Sequence, residues 1–565
     1  MPLMSSQIER RLNGEGSAAP GDGQPWWRRL PWIDIAILVS SGALFSLFYR
    51  FCGTTPDEGL ITSASERILR GQVPYRDFFS ELGPGSLYLQ AFIFRLGGEG
   101  LRSVFFSVWL LSTILTWLLY RISRKLLPLP LSLLPPFVLI SVTVPYRVLS
   151  HHWWGILFFL LMVLSVSPLC GVEATGQTRK VSLRLFVAGM LGVATLFCMQ
   201  SLGAWAMVTT VIWFVMREKQ GASASWRSSL KNSRSSALWF VCGAAVVVGV
   251  AAIYFGIKGA LGEMVYDNFT FLFSRYVPYL RSNGAYSWDI FTSRLVLLLK
   301  HPSPHNLLSG AGFYFFSMLG PAVGLGGAIW QLARRSATEI HRSHLLLLYV
   351  LAGAGCFASQ LHEPEILHFI WGSPLILVLF VDTWREAALR WAGGRRVLIG
   401  AAVLVLVLAV AGESLRAVQV VRANVPLRSR RGIAYVNPRN AATYQNWINT
   451  IERDVPPGGE TFVFPYEAQL YYLTATRNPT RYDVLLSNFQ SARQFSEAME
   501  VLWQKRPEYI FNCSSGEQIL YGSESGINEE DSQEPDALAE DLHSGRTPYR
   551  LVENAAGMEV WRLKK

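Results

Sequence analysis

The chain has 565 residues, 51% of them hydrophobic and only 16% charged, whereas a soluble globular protein carries roughly 25% charged residues. That balance excludes a soluble multidomain enzyme and predicts that most of the chain lies in lipid. The net charge of +11 comes from Lys and Arg clustered between apolar runs, where cytoplasmic loops put them, so it reports topology and not nucleic acid.

Residues 1–31, with Gly14, Gly16, Pro20, Gly21, Gly23 and Pro25 among polar residues, read as a disordered cytoplasmic tail ending in Trp26-Trp27-Arg28-Arg29. The apolar run 33–51 lacks an Ala-x-Ala-like processing site and is expected to stay as a first transmembrane helix. Further spanning stretches recur near 103–120, 127–145, 153–169, 183–199, 202–216, 237–257, 309–331, 344–360, 369–384 and 397–412, about eleven in all. With the N-terminus inside, the cytoplasmic connections hold Arg121, Arg124 and Lys125, then Arg217 and Lys219, then Arg334, Arg335 and Arg342, then Arg385 and Arg390. The opposite loops, near 52–102, 146–152, 258–305 and 361–368, hold nearly all the inter-helix acidic and histidine residues, so that side should carry the chemistry.

Pro84 to Leu96 is apolar but only about thirteen residues long, too short to cross a hydrocarbon core about 30 Å thick, and reads as interfacial. Past residue 412 the composition becomes that of a soluble domain, 413–565. Here Ala441–Arg453 predicts a helix, and Pro456-Pro457-Gly458-Gly459 a turn feeding a strand Thr461–Phe464. Ala468–Leu473 and Phe495–Gln504 predict helices, Tyr509–Cys513 a strand, and Met558–Leu563 an edge strand. The acidic, turn-rich Gly522–Glu540 reads as a loop or disordered insertion. The expected fold is mainly α: a polytopic transmembrane helix bundle over 32–412 with a C-terminal extracytoplasmic α/β domain. Of six cysteines none forms a Cys-x-x-Cys pair, and four lie in or beside apolar runs, which predicts neither a metal cluster nor a disulfide framework.

The first outer loop carries the strongest signal. Thr54-Thr55-Pro56-Asp57-Glu58-Gly59 opens a short amphipathic helix. Gly71-Gln72-Val73-Pro74-Tyr75-Arg76-Asp77 follows, then Glu81-Leu82-Gly83-Pro84 opens a second juxtamembrane helix. Pro56 can start a helix, and Asp57 and Glu58 would meet its dipole favourably, which is a purely structural reading of both acids.

As a composite, these residues resemble the lipid-linked glycosyltransferases of the glycosyltransferase C fold, in particular the protein O-mannosyltransferase and aminoarabinose transferase-like group. The resemblance implies transfer of a sugar from a polyprenyl phosphate to an acceptor outside the cytoplasmic membrane of a bacterium. It gives Asp57 the role of base, since a positioned carboxylate that takes the acceptor's proton accelerates attack by typically 10²- to 10⁴-fold. Glu58 and Glu81 could orient the acceptor, hold a cation or raise the pKa of Asp57. The departing phosphate needs positive groups or strong donors. The candidates are Tyr75 and Arg76 in the first loop, Arg147, His151 and His152 in the second, and His368, which resembles the His or Tyr that relatives place beside the lipid phosphate.

No metal ligand set is assigned. His151-His152 and the His362–Glu365 cluster would suit a divalent cation, but adjacent histidines project differently and no His-x-x-x-His motif is present. Some related folds use a divalent cation and others do not, so a cation stands only as a candidate cofactor. The expected partners are the lipid-linked sugar donor, a glycan, lipid or protein acceptor, and the bilayer. The aromatic, basic loop Lys258–Arg294 reads either as an interface marker or as a cover over the carrier. A transporter or flippase, or a non-catalytic partner in polysaccharide export, is the rival reading, although no pair of related halves is visible.

Overall fold

A computed structural model describes residues 32–171, 179–219, 226–282, 289–334, 340–486, 489–514 and 533–564. The N-terminal tail lies outside them, as do Arg335, Tyr286, Trp288 and part of the acidic segment.

All eleven expected apolar stretches are helical. Seven helices, or eight counting one bent pair, are long and apolar enough to cross a membrane among the described residues. Leu101–Leu126, with 26 residues, extends roughly 39 Å at 1.5 Å per residue, beyond a core about 30 Å thick. The other expected spans are the 16-residue Trp32–Leu47, Leu131–Tyr146 and Gln200–Lys219. The stretch near 369–384 is not one straight helix. Ile366–Gly372 and Pro374–Arg390 meet at 69°, because Pro374 has no N–H to continue the ladder and instead starts the second helix. The last apolar helix runs Arg395–Ala423, so the boundary expected at 412 falls inside it.

The spans pack where glycine lets backbones meet. A Cβ on Gly189 would stand 1.9 Å from the Phe240 carbonyl oxygen, and one on Gly243 1.9 Å from that of Phe186, so Arg179–Cys198 and Trp226–Ile257 touch in the small-residue manner of membrane helices. At the end of the bundle remote from the first loop, Asp34 accepts from Trp117 Nε1 at 2.8 Å and pairs with Arg121 at 3.3 Å. Arg342 there pairs with Asp382 at 2.6 Å and Glu386 at 2.9 Å. Carboxylates on the helices thus meet the basic loops read from the sequence.

At the other end the C-terminal domain docks on the first loop. After the hairpin β1 (Val425–Ser429) and β2 (Gly432–Val436) it builds a four-stranded sheet. Its strands are β3 (Phe462–Phe464), β4 (Tyr509–Asn512), β5 (Tyr549–Ala555) and β6 (Met558–Leu563), in the order β3-β4-β6-β5, with only β3 and β4 parallel. Met558–Leu563 is therefore an inner strand and not the expected edge: β5, which alternates poorly, takes the edge. The helices Pro438–Asp454, Ala468–Leu473 and Ala492–Lys505 lie where the sequence puts them. The acidic segment is helical from Gln533 to His543, where Leu538 and Leu542 bury their side chains. One apolar core joins the two parts: Ile61, Leu87 and Phe94 of the first loop share it with Trp447, Tyr471 and Phe511 of the domain.

Candidate active site

The first-loop helix Pro56–Leu69 begins with the capping box its sequence announces. Thr55 Oγ1 accepts from the Glu58 amide, and Pro56 stands in the first turn, where no N–H is needed. Glu58 is buried, and both its oxygens are committed. Oε2 accepts from the amides of Thr54 at 2.8 Å and Thr55 at 3.0 Å, and Oε1 from that of Leu149 at 2.8 Å. It ties the first outer loop to the second. Asp57, one residue earlier, is exposed, and its Oδ1 accepts from the Tyr466 hydroxyl at 2.7 Å. Two adjacent acids therefore have opposite environments because the helix turns about 100° per residue.

Around Asp57 a second carboxylate and a third gather. Burial pushes Glu81 up to about 7, with the Asp57 charge adding to it. Burial likewise pushes Glu363 up to about 7, with the charges of Glu365 and then Asp57 adding. Glu363 Oε2 lies 3.3 Å from His368 Nε2. His362 donates through Nδ1 to the Ser359 carbonyl at 3.0 Å, and burial holds its imidazole below the ordinary value. His152 stacks on Trp371 with centroids 3.9 Å apart, 4.3 Å from the His151 ring and 5.2 Å from that of His368. His151, His152, His362 and His368 thus form one cluster, carried by the start of the span His151–Gly171 and by the bend at 359–372. His362, Glu363 and His368 each offer one ligand atom, all within 4.8 Å of one another. Three such N and O donors suit a divalent ion, a set that motif spacing did not reveal because the bend brings residues six apart together.

The remaining candidates are held by contacts of their own. Tyr75 is buried in the left-handed region at φ 73°, donating its hydroxyl to the Leu82 carbonyl at 2.9 Å and packing on Phe255. Arg76 pairs with Asp77 at 2.8 Å and donates to the Lys258 carbonyl at 2.8 Å. Both brace the loop. Arg147 is buried beside Cys52 and donates through Nη1 to the Phe45 carbonyl at 3.2 Å, while its Nε and Nη2 have no hydrogen-bond partner among the described residues.

Sequence reasoning missed Tyr466 and weighed Glu363 only as a metal ligand. Each acquires its role from a contact hundreds of residues away in the chain. The third outer loop is helical over Leu261–Ser282, with Tyr276 and Tyr279 edge-on to Phe489 of the C-terminal domain at 5.9 and 5.2 Å. Burial and the neighbouring charges of Glu363, Glu81 and Asp57 raise the Tyr276 phenol well above its ordinary value.

No protein-family model matches the chain, and no curated protein matches it in sequence. Solved structures do match in fold. The Archaeoglobus fulgidus oligosaccharyltransferase, solved with Zn and sulfate, aligns over 88% of this chain and 70% of its own with a TM-score of 0.52 at 12% identity. ArnT from Cupriavidus metallidurans bound to undecaprenyl phosphate aligns over 94% of this chain and 97% of its own with a TM-score of 0.50 at 10% identity. The chain has the polytopic glycosyltransferase C fold that its first loop resembled.

Proposed function

We propose that this fold serves here as a membrane glycosyltransferase, moving a hexosyl or pentosyl group from a polyprenyl-phosphate-type lipid to an envelope acceptor at the extracytoplasmic face of a bacterial inner membrane. The lipid carrier is supported by ArnT, a structure of the same fold holding undecaprenyl phosphate. The observation that carries the chemistry is Asp57. It is an exposed carboxylate at a helix start, oriented by Tyr466 at 2.7 Å and flanked by two acids whose pKa values lie near neutrality.

In this reading the acceptor hydroxyl gives its proton to Asp57 as its oxygen attacks the anomeric carbon. The carbon–oxygen bond to the phosphate breaks, and the lipid phosphate leaves with the electron pair. A single displacement inverts the anomeric configuration. Glu81 and Glu363, protonated for part of the time at neutral pH, limit the negative charge that the incoming phosphate meets. His368 and the unpaired donors of Arg147 are the candidate phosphate contacts, by charge-assisted or neutral hydrogen bonds. Glu58 acts as a positioning residue, because its oxygens serve backbone amides. What favours catalysis over transport is that these side chains converge at one end of the bundle beneath the C-terminal domain, not at mid-membrane between repeats.

Asp57→Asn retains shape and the contact with Tyr466 but cannot take the proton. In reconstituted membranes its sugar transfer should fall at least about 100-fold with carrier binding retained. Glu81→Gln should cost less, and Glu58→Gln should lower stability before it lowers turnover. Near-normal transfer by Asp57→Asn would remove the general-base assignment, and normal transfer by all three would remove the mechanism.

A further inference from the structure

A cavity of 590 Å³ opens between the first-loop helix and the C-terminal domain, and Asp57 is not part of its wall. Ser63 and Arg67, six and ten residues beyond Asp57 on the same helix, line it, which sets it roughly 9–15 Å from the carboxylate along the helix axis. Its basic side chains are Arg67, Arg70, Arg76, Arg477, Arg481 and Lys505. Asp77 and Glu460 are the only acids in the wall.

The charges are unequally compensated. Arg67 is bound to Asp483 at 2.8 Å, Arg76 to Asp77 at 2.8 Å, Arg481 to Glu497 at 3.1 Å and Lys505 to Glu460 at 3.5 Å. Arg70 reaches Glu66 only at 3.9 Å, and Glu66 is held more closely by Arg431. Exposed Arg477 has no ion-pair partner among the described residues. Arg70 and Arg477 line the same opening, and the Arg477 charge adds to the burial that lowers the Arg70 guanidinium. Two guanidiniums in one wall with no shared carboxylate are a ready anion site.

We propose that this cavity binds an anionic sugar unit of the acceptor glycan, bearing a carboxylate or phosphate, and holds the acceptor chain so that its growing end reaches Asp57. The inference rests on the glycosyltransferase reading and adds the acceptor's class to it. Alongside the cations, Ser63, Gln72, Thr476, Asn478 and Thr480 line the same space, a polar wall suited to a hydroxyl-rich anion. A free phosphate is far too small to fill the volume, which is that of a ligand pocket. A phospholipid would want an apolar wall, and Val501 and Pro479 are the only apolar lining residues.

The test uses the full chain in lipid nanodiscs, titrated with oligogalacturonate, phosphorylated maltotriose, unmodified maltotriose and a hexaglutamate peptide. One of the two charged glycans should bind in a salt-sensitive manner, and whichever binds more tightly identifies carboxylate or phosphate. Arg70→Gln with Arg477→Gln should weaken that binding at least about 10-fold. The rim variant Lys505→Gln, which leaves the buried wall intact, should weaken it by about 2- to 4-fold, so the proposal stays testable if the double variant folds poorly. Equal affinity for maltotriose, unchanged affinity in the variants, no binding of either charged glycan, or tighter binding of hexaglutamate would each overturn it. Asp57→Asn should leave this binding intact while transfer is lost, so failure of the acceptor site and failure of the general base give different results.

Discussion

Asp57 and Glu58 are neighbours with the same charge, and only their side-chain directions separate the proposed base from a structural acid. Glu58 points inward, where three backbone amides offset the cost of burying its charge. Asp57 points outward to Tyr466. Burial raises Glu58 against those amides, and it raises Glu81 and Glu363 from 4.5 to about 7. Glu81 and Glu363 therefore contribute stability that is lost as pH rises from about 4.5 through 7, while His362, held below its ordinary value, contributes with the opposite sign. Thermal unfolding of the detergent-solubilised protein across pH 4.5–8 should show the two carboxyls as a difference: Glu81→Gln with Glu363→Gln should gain stability relative to the parent as pH rises through that window, and parallel slopes in parent and double variant would mean that these carboxyls do not carry the protons.

The first-loop helix is the element on which the site is built, and most of it was legible. The Thr55-Pro56 start and Glu58 at the capping position specify its beginning by local hydrogen bonding alone. Its partner was not legible. Gly59 lies where a Cβ would stand 2.2 Å from the Gln469 amide nitrogen and 2.6 Å from its Cα, so the helix Ala468–Leu473 rests directly on the first-loop backbone. Because the obstruction is backbone and not a side chain that could rotate away, Gly59→Ala should destabilise the docked domain by about 1–3 kcal/mol. Limited proteolysis should then cut the region after Ala423 faster than in the parent, and parental protease resistance would show that the contact is not needed for docking.

Over the whole molecule, eleven helical segments place the first outer loop and the C-terminal domain at one end and the Asp34–Arg121 and Arg342–Asp382 pairs at the other. The basic loops then share one side, the side that the positive-inside rule predicts to be cytoplasmic. Reporter fusions at Gly221 and Gly458 should give opposite signals, cytoplasmic for the first and extracytoplasmic for the second, whereas equal signals would rule out an odd number of spans.

What the sequence determined by itself is what short-range physics writes into it. Apolar runs set the spans, Lys and Arg gather in the loops of one side, and cap, turn and alternation signals locate the domain's helices and most of its strands, because each depends on residues close together in the chain. The tertiary structure alone decided that Pro374 breaks a span, that the turn before Ile366–Gly372 sets His368 beside Glu363, that Met558–Leu563 lies inside the sheet, and that Tyr466 orients Asp57. Those outcomes turn on packing between segments as far as 409 residues apart, and no local pattern of propensity or charge encodes which distant surface a side chain will meet.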